Sequence, residues 1–327
     1  MDIEQYPWLD DYLNSLDLNK FHHAHIIGGR GGLGKWEFAK IVSKYILCKT
    51  FSQKKDCACK SCNLFLAGNH PDFYFISPER GKKLISINQI RELHRDLYES
   101  AFLNSNKVFV IKPAELLTHE AENSALKFLE EPPQDTFFLL VSNKPKQLSP
   151  TIRSRCSQID IQTPSIEQSD KWLSEKSTNE EERLLALEMS KGRPLIAMDL
   201  LSRSLSELRT SFISDISDLI KGTKNLITIS EIWAKDKNLD IKLEWMGELL
   251  GDSLRHQFYT SEAKTKDDTD HISSFLGKKV NSLILFNLLN ETNQTWFYFS
   301  ESSNLRIDYQ LQSLFVSWNT KLSISSQ

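Results

Sequence analysis

A glycine-rich turn near the amino terminus carries residues suited to binding an anion. The stretch 25–36 reads as a buried strand, a turn and a helix that begins near Lys35, and the turn contains Gly29, Gly31, Gly32 and Gly34. Gly29, Gly34 and Lys35 match the P-loop pattern G-x-x-x-x-G-K, whose backbone N–H groups face a phosphate while the lysine adds a positive charge. The next position normally holds Ser or Thr for Mg²⁺, but here it is Trp36, whose indole cannot ligate magnesium. The turn therefore predicts a phosphate cradle without a metal anchor; the alternative is an ordinary strand–helix turn.

A second buried strand lacks the acidic residues of a nucleotide hydrolase. The run Lys107–Ile111 is typical of a parallel sheet with both faces covered. In P-loop hydrolases such a strand ends in acidic residues that position Mg²⁺ and the attacking water. Here the strand is followed by Lys112 and Pro113, and the nearby Glu115 is interpreted as a surface charge. The hydrolytic machinery is therefore predicted to be absent for a reason independent of Trp36.

Four of the five cysteines are close enough in sequence to share one metal ion. Cys59 and Cys62 form a C-x₂-C knuckle, and Cys48 and Cys57 can complete a Cys₄ set. Four thiolates leave no position open for water, so the sequence predicts a structural zinc site. Partly buried free thiols are the alternative.

Composition and apolar periodicity predict an α/β protein with several domains. A length of 327 residues predicts two or three domains, and a net charge of −3 argues against a globally basic nucleic-acid-binding surface. No apolar run approaches 18 residues and the start lacks signal-peptide features, so we expect a cytoplasmic protein with reduced thiols and no membrane contact. A further strand is predicted over residues 137–141, and helices over residues 8–16 and 35–48. Ser86 and Thr118 are predicted helix caps, and His70 is predicted to be a turn residue that hydrogen-bonds locally.

The order of these motifs resembles bacterial clamp-loader subunits, which are AAA+ proteins of the DNA polymerase III holoenzyme related to replication factor C. The resemblance covers residues 1 to about 165. It rests on the P-loop, the cysteine cluster, a His-Pro-Asp turn at 70–72, the segment Asn123–Pro133 and Ser154-Arg155-Cys156. Trp36, Lys112 and Pro113 depart from the motor subunits of that family. These departures resemble the delta-prime class, the non-hydrolysing member of the ring.

The resemblance assigns roles to several residues. Arg155 is implied to be an arginine finger that reaches the nucleotide of a neighbouring subunit; otherwise it is a surface cation at a strand end. Arg153 is implied to face DNA or the partner. Cys156, the fifth cysteine, is interpreted as a packing residue rather than a chemical one. The family's nucleotide-sensing arginine aligns with Leu195, and Arg193 lies two residues early. The family spacing of the cysteines is one residue longer between the second and third than between Cys57 and Cys59.

The resemblance also implies the domains and partners. It implies an AAA+ core over residues 1–165 with a zinc module at about 48–62, a small helical lid over 166–205 and an all-helical collar over 206–327. Such a subunit forms a pentameric ring with the gamma/tau motor subunits and delta, and the ring loads the sliding clamp onto primed DNA within the nucleoid-associated replisome. ATP or ADP is compatible with the cradle but not required.

Two other readings stay open at this point. One is an ATP-hydrolysing motor subunit in degenerate form. The other is a zinc-knuckle nucleic-acid-binding protein, supported by Lys54, Lys55 and Lys60 around the knuckle.

Overall fold

A parallel sheet lies at the centre of residues 1–203. The computed structural model describes residues 6–17, 20–48, 57–103, 106–203, 205–258, 269–301 and 306–324. The sheet has five strands in the order β2-β3-β4-β1-β5, and every neighbouring pair is parallel. The strands are β1 (Ala24–Gly28), β2 (Phe73–Ile76), β3 (Lys107–Ile111), β4 (Thr136–Val141) and β5 (Ser157–Asp160). The predicted α/β class with a parallel sheet is confirmed.

Helices connect consecutive strands, because parallel strands cannot be joined by tight hairpins. The helix α1 (Asp10–Asn14) precedes β1, and the connecting helices are α2 (Lys35–Leu47), α3 (Lys60–Leu66), α4 (Ile87–Tyr98), α5 (His119–Glu130) and α6 (Pro150–Arg155). Three further helices follow the sheet: α7 (Ile166–Ser174), α8 (Glu180–Met189) and α9 (Pro194–Leu201). Both predicted caps are confirmed: Ser86 forms a capping box with Gln89, and the Thr118 side chain accepts a hydrogen bond from the Ala121 N–H.

The first predicted helix is shorter than its apolar spacing suggested. A 3₁₀ turn over Pro7–Leu9 precedes α1, so the prediction of one helix over residues 8–16 was wrong. Its indole explains the difference: Trp8 Nε1 donates a hydrogen bond to the Leu33 carbonyl at 2.9 Å, and the ring packs edge-on against Trp172 at 5.1 Å. Tertiary contacts therefore hold this segment against the glycine-rich loop and α7.

Aromatic stacking fills the space between β3, β4 and α5. Phe138 is fully buried and its ring centroid lies 5.4 Å from that of Phe109 and 4.7 Å from that of Phe128. Offset stacking at these separations adds to the free energy gained by burial. This core fixes the centre of the sheet. Two of the candidate sites described below lie at its two ends.

Residues 204–327 form a second unit, and every regular element in its described part is a helix. Its helices are α10 (Leu205–Lys221), α11 (Leu226–Ala234), α12 (Leu239–Phe258), α13 (Asp270–Lys279), α14 (Ser282–Glu301) and α15 (Ile307–Ile324). Phe212, Trp233 and Phe315 are fully buried, and the Trp233 ring packs against the other two. Among the helices that the structure describes, none combines the length and the apolar character needed to cross a bilayer.

A buried histidine in β1 makes the stability of the sheet depend on pH. His25 is 6% exposed and its ring stacks on Phe21 at 3.8 Å. Its buried Nδ1 has no hydrogen-bond partner among the described residues. Burial, followed by repulsion from His22, lowers the pKa of His25 to about 4. The folded chain therefore keeps this ring neutral.

Between pH 6.5 and 4, the unfolded chain gains a proton at His25 that the folded chain does not bind. The free energy of unfolding must therefore fall as the pH falls through this window. We expect His25→Phe, which retains an aromatic ring beside Phe21, to weaken the pH dependence between pH 7 and pH 5 by roughly 2 kcal/mol. Urea titrations at the two pH values measure this, with His119→Phe on the exposed start of α5 as the control. Equal pH dependence in all three proteins would refute the assignment.

Candidate functional site

The glycine-rich loop leaves the carboxyl end of β1 in a conformation that requires glycine. Gly29 has φ 131° and Gly32 has φ 82°, both in the region that L side chains rarely adopt. A Cβ on Gly29 would lie 2.4 Å from the Ile161 carbonyl oxygen, and one on Gly32 would lie 2.5 Å from Ile196 Cγ1. The loop is therefore enclosed by the segment after β5 and by α9.

The lysine of the loop is bonded to the loop itself. Lys35 is 5% exposed, and its Nζ donates hydrogen bonds to the carbonyl oxygens of Gly29 at 2.8 Å and Arg30 at 2.5 Å. Burial lowers the pKa of Lys35 to about 8, an effect that Glu115 opposes and Lys112 strengthens. The ammonium group of Lys35 is thus bound by carbonyl oxygens of its own loop.

Trp36 takes part in a cation–aromatic cluster where the P-loop pattern places a magnesium ligand. Its ring lies 4.6 Å from that of Phe75 on β2. Lys40 Nζ and Lys112 Nζ lie 5.2 and 5.0 Å from its centroid, within the range of cation–π attraction. Two lysines and an indole therefore occupy the region that binds a cation in a working hydrolase.

Glu115, which the sequence suggested to be a surface charge, is partly buried. Its Oε1 accepts a hydrogen bond from the Asn143 N–H at 3.0 Å, and its Oε2 is buried without a hydrogen-bond partner among the described residues. A Cβ on Gly31 would lie 3.8 Å from Asn143 Oδ1, so the carboxylate and the loop share one neighbour. The short 3₁₀ turn Ala114–Leu116 directs Glu115 inward from the end of β3, which an apolar pattern does not reveal.

The candidate sensing residues lie beside the same loop. The Leu195 N–H donates to the Gly32 carbonyl at 3.2 Å. Arg193, two residues earlier, directs its Nε to the Ser190 carbonyl at 2.5 Å. The backbone of α9 therefore contacts the glycine loop, while this guanidinium bonds to the preceding turn.

The four clustered cysteines converge on one point despite the short Cys57–Cys59 spacing. Their sulfur atoms all lie within 4.8 Å of one another. Cys48 ends α2 and Cys59 caps α3, and the Cys48 sulfur lies 3.5 Å from that of Cys57 and 4.0 Å from that of Cys59. None of these four cysteines is in a disulfide bond.

This donor set fits a tetrahedral ion. Zn–S bonds of about 2.3 Å place the sulfurs of a tetrahedral site about 3.8 Å apart, which matches the separations above. Cys48 and Cys62 are buried, and Cys57 and Cys59 are partly buried. Burial, together with hydrogen bonds to Cys59 and Cys48, raises the pKa of the metal-free Cys62 thiol far above its usual value. A bound cation would stabilise the thiolate of Cys62 and so oppose this effect of burial.

Arg155 lies in an open groove of about 570 Å³ lined by His22, His23, Leu129, Glu130, Ser154, Cys156 and Ser157. It is the last residue of α6, so the alternative reading that placed it at the end of a strand was wrong. Its Nη1 donates to the Thr151 carbonyl at 2.9 Å, and its Nη2 pairs with Glu130 at the end of α5. The Arg155 side chain is 33% exposed. The guanidinium is therefore oriented by the chain while remaining open to solvent.

The arginine groove and the glycine loop lie at opposite ends of the sheet. The groove contains His23, one residue before β1, and Ser157, the first residue of β5. The glycine loop follows Gly28, the last residue of β1. A strand of this length spans about 15 Å, at about 3.3 Å a residue. Arg155 therefore cannot act on an anion held by its own glycine loop.

The neighbours of Arg155 differ from it in environment. Arg153 lines a separate cavity of about 160 Å³ with Pro145 and Asp160, and its buried Nε has no hydrogen-bond partner among the described residues. Cys156 is 8% exposed and belongs to the core, and burial raises the pKa of its thiol to about 12. Its packing environment agrees with the expectation from the sequence.

Several residues around these sites gave no recognisable pattern. Glu130 pairs with Arg155 across 25 positions of sequence, and His22 and His23 reach the groove from the segment before β1. The only signal was the acidic end of α5 followed by two prolines, which indicates a helix end rather than a partner. Of the lysines noted near the knuckle, Lys54 and Lys55 lie outside the described residues, and Lys60 is exposed.

The chain is similar to known replication proteins over most of its length. Family models described as "DNA polymerase III, delta subunit" and "DNA polymerase III, delta subunit, C terminal" match residues 5–165 and 204–318. DNA polymerase III subunit delta′ of Pseudomonas aeruginosa is 31% identical over 96% of this chain and 97% of that protein. The subunit delta′ of Escherichia coli K12 is 31% identical over 80% of each.

A solved structure, a gamma subunit-related DNA polymerase III protein of Thermotoga maritima, aligns with a TM-score of 0.46. The identity is 20%, over 97% of this chain and 99% of that one. The identity and coverage of the curated relatives decide the family. The chain belongs to the DNA polymerase III subunit delta′ family.

Proposed function

We propose that the chain is a non-hydrolysing clamp-loader subunit that lends Arg155 to the nucleotide of a neighbouring subunit. The observation that carries this proposal is the placement of Arg155 at the opposite end of the sheet from the glycine loop. A partly exposed guanidinium in an open groove suits an anion that arrives on another chain. A planar, permanently charged guanidinium can donate in parallel to two phosphate oxygens and neutralise the charge that develops during phosphoryl transfer.

We also propose that the glycine loop acts as a structural connection rather than a nucleotide site. Lys35 is engaged with the carbonyls of Gly29 and Arg30, and Trp36 is engaged with two lysines. The close packing of Ile196 against Gly32 restricts access from the side of α9. These contacts support a subunit without ATPase activity of its own, and binding of ATP or ADP is not required for its role.

The proposed assembly places the chain in a pentameric ring. Residues 1–165 form the AAA+ core, 166–205 the lid and 206–327 the collar. In the helical unit, Leu283, Phe286 and Phe297 lie within about 60° of one another around α14 and are 66%, 52% and 54% exposed. An apolar helix face of this kind favours association with other chains. The proposed partners are the motor subunits, delta, the sliding clamp and primed DNA, in the cytoplasmic replisome.

The finger assignment predicts a loss of ATP turnover in the assembled loader. We expect Arg155→Ala to lower turnover at the site it serves by on the order of 10³, so that DNA-stimulated ATPase falls to the level of the remaining sites. Assembly should be retained, because the polar partners of the Arg155 side chain within the described residues are Thr151, Ser154 and Glu130, all of its own subunit. Steady-state ATPase and gel filtration of the reconstituted loader measure both properties.

The control is Arg95→Ala on α4, where the side chain is 82% exposed. It should leave ATP turnover unchanged. Unaltered DNA-stimulated turnover in an assembled Arg155→Ala loader would eliminate the finger role.

We further propose that Cys48, Cys57, Cys59 and Cys62 hold one structural zinc ion. Bound zinc would crosslink the end of α2 to the start of α3 through four thiolates and leave no position for substrate. The chain's own contribution is the positioning of the sulfurs within 4.8 Å of one another.

Metal analysis tests this proposal. The chain purified without a tag should contain about one zinc per molecule. Cys62→Ser should lose most of the metal and melt at a lower temperature, because one of four ligands is gone. Cys156→Ser replaces a buried cysteine outside the cluster and should retain the zinc. A zinc-free native chain would contradict the proposal.

Restoring the missing hydroxyl should not restore nucleotide binding. In Trp36→Thr the pattern of a working P-loop is complete, but the bonds of Lys35 and the packing of Ile196 on Gly32 remain. We expect its dissociation constant for ATP with Mg²⁺ to stay above about 1 mM in calorimetric titrations, as in the unaltered chain and in Trp36→Phe. Micromolar affinity in Trp36→Thr alone would show that the indole is the sole obstacle.

A further inference from the structure

A buried histidine next to the cysteine cluster has one defined hydrogen-bonding arrangement. His70 is 6% exposed, and burial lowers its pKa, so the ring is neutral near pH 7. Its Nδ1 accepts a hydrogen bond from the Asp72 N–H at 3.1 Å, as the prediction of a local bond anticipated. The proton of the neutral ring must then be on Nε2, which lies 2.8 Å from Ser61 Oγ. His70 is therefore a donor to Ser61.

Ser61 connects His70 to the end of α2, where Cys48 lies. It is fully buried and lies inside the knuckle, between Cys59 and Cys62. Its hydroxyl donates to the Leu47 carbonyl at 2.6 Å, immediately before Cys48. The bond joins the end of α2 to the start of α3, the two helix ends that carry three of the four sulfurs. We call His70, Ser61 and the Leu47 carbonyl the His70 relay.

The relay is anchored to the sheet through Asp72. This residue is fully buried, and its carboxylate accepts hydrogen bonds from the Phe102 N–H at 2.7 Å and the Leu103 N–H at 3.1 Å. Its carbonyl accepts from the Val108 N–H at 3.0 Å, at the start of the β2–β3 pairing. The His-Pro-Asp turn thus has a fixed position, from which His70 reaches the knuckle.

We infer that His70 and Ser61 are positioning residues for the cysteine cluster. They hold its two halves, Cys48 at the end of α2 and the Cys59–Cys62 knuckle at the start of α3, at metal-binding separation. This inference rests on the proposed zinc site. Neither side chain supplies a ligand, but together they connect the backbone on both sides of the cluster to the rigid sheet. Hydrogen bonds beyond the ligands orient metal sites, and their loss typically weakens metal affinity 10- to 100-fold.

The test uses the full chain under reducing conditions and measures the zinc dissociation constant by competition with a chromogenic chelator. His70→Ala and Ser61→Ala should each raise the constant 10- to 100-fold. His70→Gln, whose amide nitrogen can replace the Nε2 donor, should stay close to the unaltered chain. His25→Ala removes a histidine of equal exposure from another part of the sheet and serves as the control. Circular dichroism verifies folding, and Ser61→Ala decides the matter if His70→Ala does not fold.

A second readout separates the relay from the zinc proposal. In the metal-free reduced chain, the rate at which a thiol reagent modifies the cluster reports how well its two halves are held together. This rate should rise in His70→Ala and Ser61→Ala but not in His70→Gln. If the unaltered chain takes up no zinc, the zinc proposal fails and the modification rates alone judge the relay. Folded His70→Ala and Ser61→Ala proteins with unchanged zinc affinity, or with unchanged modification rates where no zinc binds, would overturn it.

Discussion

The parallel direction of the strands is the constraint on which the placement of the sites depends. Because β1 and β5 run the same way, the segments before them meet at one end of the sheet and those after them at the other. Gly28 leads into the glycine loop at the carboxyl end, while Ser157 follows Arg155 at the amino end. Within one chain, the P-loop-like glycine loop and Arg155 are thus separated by the length of a strand. In the proposed ring, this separation makes the arginine available only to a neighbour.

In the proposed function, the glycine loop is a binding motif that serves as structure, with its polar groups bonded within the chain. Gly29 and Gly32 are still required, because Ile161 and Ile196 approach where a side chain would lie. Lys35 is still buried, and loop carbonyls accept its hydrogen bonds. Lys35, Lys40 and Lys112 bring positive charge to the region, and the partly buried carboxylate of Glu115 offsets part of it. Packing and internal electrostatics therefore support the proposed structural role of the loop.

The sequence predicted best where spacing alone determines geometry. Apolar runs located β3 and most of β4, and the capping box at Ser86 located the start of α4. The cysteine spacing anticipated the convergence of four sulfurs, since α2 and the knuckle need only meet end to end. The sequence failed where a side chain's environment depends on a distant segment. Glu115 looked like a surface charge because nothing near it in sequence reveals Asn143, and Trp8 left its expected helix to reach Leu33. The short strand β5 is largely exposed and carries no apolar alternation, so periodicity could not mark it.

The ion pair between Arg155 and Glu130 bears on how a lent guanidinium can be both ordered and available. Both side chains are partly exposed, at 33% and 47%, so the pair contributes only about 0–1 kcal/mol. Such a pair can limit the rotamers of a long side chain, and α6 adds a further restraint through the Thr151 carbonyl. The charge of a nucleoside triphosphate exceeds that of one carboxylate, so a neighbour's nucleotide in the groove would compete well with Glu130 for the guanidinium. In the proposed assembly, Glu130 would then keep Arg155 near its working position, and moving the guanidinium from Glu130 to the nucleotide would cost little free energy.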